Sequence, residues 1–127
     1  QKFAKSKNVI WITVISSAKG KQGYIQPNDA LNTFASFGSF PDHILVDENG
    51  DLGKKFNAKT TPHIFIADKN KNIVYQGAID DAGGSKFWTT DLNQSTNFVK
   101  KVVNDIKSNK PLSVSKTRPY GCSVKYG

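Results

Sequence analysis

A mixed α/β domain is what this sequence predicts, and three patterns carry that reading. Residues 8–16 (NVIWITVIS) form a nearly continuous apolar, β-branched run, which suits a strand buried on both faces of a parallel sheet. Helical and extended periodicities then alternate along the chain, as they do where strands and helices pack in layers. Two further short apolar runs, 63–68 (HIFIAD) and 73–77 (IVYQG), flank the polar residues 69–72 and read as an antiparallel hairpin.

The elements follow in order. Residues 1–7 read as the end of an amphipathic helix, with Phe3 and Ala4 apolar among Lys2, Lys5 and Lys7; since Gln1 is no initiator Met, the chain is expected to begin inside its first helix. After the first strand, residues 17–26 form a polar loop holding Gly20 and Gly23. Pro27 fits the first turn of a helix, and Leu31, Phe34 and Phe37 recur at helical spacing until Gly38 stops it. Residues 43–47 (HILVD) are a short strand, Asn49 and Gly50 turn the chain, and Leu52 with Phe56 give a short helix through Asn57 one apolar face. Beyond the hairpin, Ala78 and Ile79 lead to Asp80 and Asp81. Gly83, Gly84 and Ser85 then open an irregular segment to about residue 93, whose Phe87 and Trp88 are expected to fold back onto the core. Ser95 can cap a helix through Ser108, with Phe98, Val99, Val102, Val103 and Ile106 on one face and Pro111 beyond its end. A basic tail without regular pattern runs from about residue 112.

With 127 residues and no internal repeat or linker, one domain over 1–127 is expected. A chain of that size buries about two-thirds of its unfolded surface. A composition 37% hydrophobic and 22% charged excludes a disordered polyelectrolyte. No apolar run approaches the roughly 20 residues of a membrane-spanning helix, so no membrane span is expected. Cys122 is the single cysteine, which excludes a disulfide-stapled scaffold. The formal charge is +8, but only Arg118 among the 18 cations is Arg, and the lysines are scattered as Lys54 and Lys55, Lys69 and Lys71, Lys100 and Lys101. Nucleic-acid readers favour the guanidinium fork and a continuous stripe, so no nucleic acid is expected as a partner.

Candidate sites are few. Asp68, Asn70 and Asn72 match the first ligand positions of an EF-hand loop, yet Ile73 stands where its glycine belongs and Ile79 where its closing Glu belongs. His43, His63 and Cys122 have no closely spaced partner ligand, and the Gly20 and Gly23 loop lacks a P-loop ending. No metal and no cofactor are therefore expected. Asp80 and Asp81, consecutive in extended chain, point to opposite faces and read as turn carboxylates rather than an acid-base pair. Asn93-Gln94-Ser95 is a glycosylation sequon by pattern only. Thr60-Thr61-Pro62 at a strand start is more informative. Proline lacks a donor and leaves a hydrogen-bonding gap there, and X-Pro bonds are the common carriers of the cis isomer. Cys122 has Lys116, Arg118 and Lys125 close in sequence, and nearby cations favour the reactive thiolate form.

Residues 8–24 (NVIWITVISSAKGKQGY), 58–81 (AKTTPHIFIADKNKNIVYQGAIDD) and 117–126 (TRPYGCSVKY) together resemble the thioredoxin-like redoxin family, related to the peroxiredoxins and the TlpA-type thiol oxidoreductases. The resemblance implies a thioredoxin-like mixed sheet with flanking helices. It makes Thr61 and Pro62 the substrate-binding cis-proline loop and Cys122 a resolving or redox thiol. In that family a first strand, and a helix bearing the reactive cysteine, precede the strand that starts here at Asn8. The domain is thus expected to be N-terminally incomplete and inactive as these 127 residues alone. The implied function is thiol-disulfide exchange or peroxide handling, on a thiol or disulfide protein or a small peroxide. A bacterial periplasmic location accords with the resemblance, and a cytoplasmic one accords with the residues equally. The competing reading is a non-catalytic thioredoxin-fold binding module that holds an acidic partner through its lysine faces or the Trp88 loop.

Overall fold

A computed structural model of the chain describes residues 1–82 and 96–127. The expected irregular segment, with Trp88, the Asn93 sequon and the Ser95 cap, lies outside the described residues. The chain forms two compact units, residues 1–58 with 124–127, and residues 59–123. Helices and strands are mixed, and strand pairing is parallel in one sheet and antiparallel in two others, which makes the fold α/β.

In the first unit, α1 (Lys2–Ser6) buries Ala4 and is followed by β1 (Ile12–Ile15), which pairs in parallel with β2 (His43–Val46) from Ile12↔His43 to Ile15↔Val46. Two-sided burial of this strand, expected from its composition, is not what the structure shows. Ile15 is buried, but Ile12 is 52% exposed, Val14 40% and, across the pair, Leu45 45%. Side chains alternate across a strand, so one face of this two-stranded sheet leaves Ile12, Val14 and Leu45 about half exposed. The predicted Pro27 helix is a 3-10 turn (Pro27–Asp29) running into α2 (Ala30–Ser36), and Gly38 at φ 70 follows it. Its apolar spacing is helical, yet Leu31 and Phe37 stay exposed and Ala30 is the buried residue.

The carboxylate of Asp47, just past β2, organises this unit. It accepts the Ser16 hydroxyl at 2.7 Å, the Gly53 N–H at 2.8 Å and the Leu52 N–H at 3.1 Å, tying the ends of both strands to α3 (Asp51–Lys55). Burial pushes the Asp47 carboxyl up, but the bonds from Gly53, Ser16 and Leu52 outweigh this and hold it below the ordinary carboxylate range. Tyr126 donates its hydroxyl to the Ala58 carbonyl at 2.8 Å and lies where a side chain on Gly50 would have to go. The end of the chain, which carries no sequence periodicity, is therefore packed.

The second unit is built on the predicted hairpin. β4 (Ile64–Ala67) pairs antiparallel with β5 (Ile73–Gly77), and Asp68 closes the turn by accepting the Asn70 and Asn72 N–H groups at 2.9 and 3.0 Å. Asp68, whose spacing failed the test for a calcium loop, is a turn former, as the hairpin reading expects. The helix expected from Ser95 is α4 (Phe98–Lys107), capped by the Asn97 side chain, which accepts the Lys100 N–H at 2.9 Å; Val99, Val102 and Val103 bury its apolar face.

The basic tail is the main departure from the sequence reading. Residues 115–117 run beside β5, with the Gln76 N–H donated to Ser115 and the Thr117 N–H donated to Gln76, at 3.1 and 3.0 Å. Tyr75 is fully buried, and its hydroxyl lies 2.7 Å from Thr117 Oγ1 while donating to the Ala78 carbonyl. Thr117 Oγ1 also accepts the Ala78 N–H at 2.9 Å. Between them Gly77 adopts φ 144, and a Cβ there would overlap Thr117 itself, so only glycine fits. Thr117→Val keeps the shape and removes the oxygen, leaving the buried Ala78 N–H without an acceptor. The expected loss of stability is about 1–3 kcal/mol by denaturant unfolding, with Thr117→Ser costing less. A valine variant as stable as the parent would show that this node carries no weight.

Candidate functional site

The structure brings together, within the second unit, the three residues singled out for function. β3 (Thr60–Thr61) pairs antiparallel with β6 (Cys122–Ser123), Thr60 opposite Ser123 and Thr61 opposite Cys122. The Thr61-Pro62 bond is cis, as expected for the proline loop of the resemblance. Thr61, Pro62 and the free thiol of Cys122 are all exposed. Gly121, at φ 136, makes the pairing feasible: a Cβ there would collide with the Thr61 carbonyl. The loop is fixed by short-range bonds, from the Thr60 hydroxyl to the Pro62 carbonyl at 2.8 Å and from the Lys59 N–H to His63 Nδ1 at 3.2 Å. His63 stacks on Phe65 with ring centroids 4.4 Å apart. Partial burial, and then the neighbouring Lys59 charge, push the His63 imidazole below its ordinary 6.5, which keeps Nδ1 free to accept.

Asp80 and Asp81 act apart, as their alternation implies. Asp80 accepts the Ala82 N–H at 3.0 Å and the Tyr120 hydroxyl, whereas Asp81 accepts the Thr96 N–H at 2.7 Å. Burial and then the Asp80 carboxylate push Tyr120 up to about 12, so it stays a donor at any ordinary pH. This bond anchors the chain just before Gly121 and Cys122.

Lys125 belongs to the first unit, whereas Lys116 and Arg118 line a groove of about 670 Å³ with Lys59, Thr60, Thr117 and Pro119. Sequence reasoning missed this groove because Lys59 reaches it from a different part of the chain. The one available signal is the spacing of Lys116 and Arg118, two residues apart in extended chain and hence on one side. Lys116 and Arg118 are exposed and Thr117 between them is turned inward.

No protein-family model matches the chain, and no curated protein does. Solved structures do. A hypothetical protein from Sinorhizobium meliloti 1021 matches at a TM-score of 0.80 and 20% identity, over 98% of this chain and 65% of its own length. An uncharacterized conserved protein from Geobacillus kaustophilus matches at a TM-score of 0.80 and 20% identity, over 99% of this chain and 66% of its own. The chain thus spans about two-thirds of each, and at this identity the likeness is one of fold: both share its α/β architecture.

Two outcomes are expected here. A folded-state imidazole below its ordinary value favours the neutral form, so the stability linked to His63 is present above about pH 6.5 and lost as pH falls through the folded value. Thermal unfolding followed from pH 7.5 to 5 should show this loss, and His63→Asn should flatten it; an unchanged pH profile in the variant would refute the assignment. Gly121→Ala should open the β3–β6 pair, seen as faster amide exchange at Thr61 and Ser123 with the β4–β5 hairpin protected as before. Equal protection of both in the variant would mean that the collision is absorbed elsewhere.

Proposed function

We propose that the chain is a thioredoxin-like domain of a thiol-disulfide or peroxide-handling protein, with Cys122 as its resolving thiol and the Thr61-Pro62 loop as its substrate-binding edge. The observation that carries this reading is the pairing of Cys122 with Thr61: an exposed thiol held by a backbone ladder beside Pro62. The half-exposed apolar face of β1 and β2 lends support, since a further strand or helix packed there would complete the layered sheet of such a domain.

Because these residues include one thiol, its exchange partner is a sulfur on another segment or molecule. With a peroxide as substrate, the partner thiolate attacks the O–O bond, becomes a sulfenic acid and releases the alcohol or water. The Cys122 thiolate then attacks that sulfenic sulfur, an S–S bond forms, and hydroxide leaves to take up the thiol's proton as water. With a disulfide as substrate, Cys122 forms a mixed disulfide and expels one thiolate. Position supports the second role: a thiol on a short exposed strand is accessible to an incoming disulfide, while Tyr120 on Asp80 and Gly121 on Thr61 keep its backbone in place.

A monothiol cannot close a dithiol cycle, which makes the proposal measurable. The 127-residue chain should release about one equivalent of thiolate from an aromatic disulfide reagent, stop at the mixed disulfide seen by intact mass, and show no sustained reduction of insulin or peroxide. Sustained turnover that survives Cys122→Ser would sink the reading. So would a Cys122 that stays unmodified in the folded chain.

A further inference from the structure

We infer that the groove lined by Lys59, Lys116 and Arg118 is a docking site for an extended acidic peptide, read through carboxylates two residues apart. The inference goes beyond the thiol chemistry above and does not depend on it. The groove holds three cations and no carboxylate, and none of the three has an acidic partner among the described residues. At about 670 Å³ it is within the size range of sites that take a short peptide or drug-sized ligand.

Its chemistry narrows the ligand. The hydroxyls that line it are already committed: Thr60 donates to Pro62, and Thr117 is held between Tyr75 and Ala78. What remains to meet a ligand is chiefly the charge of the three cations. Lys116 and Arg118 lie on one side of an extended segment, about 6.5–7 Å apart along it. Alternate side chains of an extended peptide have the same period, so two carboxylates can meet the two cations while a third reaches Lys59. A single phosphate would span only one of these positions. Single-stranded nucleic acid has charges at a comparable spacing, but it is held by aromatic stacking, and no aromatic residue among the described residues lines the groove.

The backbone that carries the cations is set by the fold. Lys116 and Arg118 flank Thr117, the residue whose oxygen is locked to Tyr75 and Ala78, and Lys116 sits in the bridge to Gln76. Lys59 is held through its N–H on His63. The backbone of the groove is therefore ordered before a ligand arrives, which lowers the cost of binding.

The test titrates the full 127-residue chain with the blocked pentapeptide Glu-Thr-Glu-Thr-Glu, following backbone amide shifts. Saturable shifts at residues 59–60 and 116–118 are expected, absent with Gln-Thr-Gln-Thr-Gln and weakened by salt. Lys116→Glu with Arg118→Glu should weaken binding about tenfold or more, and Lys59→Gln should weaken it by a smaller factor. Lys19→Glu with Lys21→Glu makes the same change in net charge on the first unit and should alter binding less than about twofold. Cys122→Ser should bind as the parent does, which separates this site from the thiol proposal. Equal weakening by both double variants would overturn the inference in favour of general charge attraction. So would tighter binding of oligothymidylate, or of inorganic phosphate, at the same amides.

Discussion

Thr117 Oγ1 is the atom on which the second unit depends. It accepts the Ala78 N–H and shares a hydrogen bond with the fully buried Tyr75 hydroxyl, so a stretch of basic tail is locked against the end of β5. A buried N–H or phenol left unpaired costs more than a typical hydrogen bond contributes, which makes this contact selective for one register of the tail. Gly77 enforces the same register sterically, because any side chain there would occupy Thr117's place. Once residue 117 is fixed, the outward cations at 116 and 118 and the strand at 122–123 follow within a few residues. Both the proposed thiol site and the proposed peptide groove inherit their geometry from this one node.

The first unit has its own organiser of a different kind. Asp47 gathers three donors from two segments, and a carboxylate accepting several hydrogen bonds is stabilised in its charged form. Around it the apolar side chains are unevenly used. Ile15 is buried while Ile12, Val14 and Leu45 lie open on one face, a surface of the kind that marks an interaction or a missing layer. That contrast explains why a run of β-branched residues can look doubly buried in sequence and be only half covered in this chain.

Charge and thiol are kept on separate footing. Tyr120 on Asp80 and Gly121 on Thr61 hold Cys122 by backbone geometry, whereas Lys116, Arg118 and Lys59 face a groove with no counter-charge among the described residues. Of the cations near the cysteine in sequence, Lys116 and Arg118 line the groove of the second unit and Lys125 belongs to the first. Sequence proximity in an irregular tail says little about which cations share a surface.

Short-range patterns by themselves determined the α/β class, the hairpin at 64–77 with its Asp68 turn, the apolar face of α4, the opposed carboxylates at 80 and 81, and the proline loop at 61–62. Each of these rests on periodicity or on the restricted dihedrals of a few adjacent residues, which a sequence displays directly. Tertiary structure alone decided that residues 115–123 are ordered, that Thr61 meets Cys122, that Asn97 caps α4, and that Lys59 joins Lys116 and Arg118. These depend on hydrogen bonds and steric exclusions between residues far apart in the chain. No local pattern encodes them, because the partner of Thr117 or Gly121 is defined only after the hairpin has folded and offered its edge.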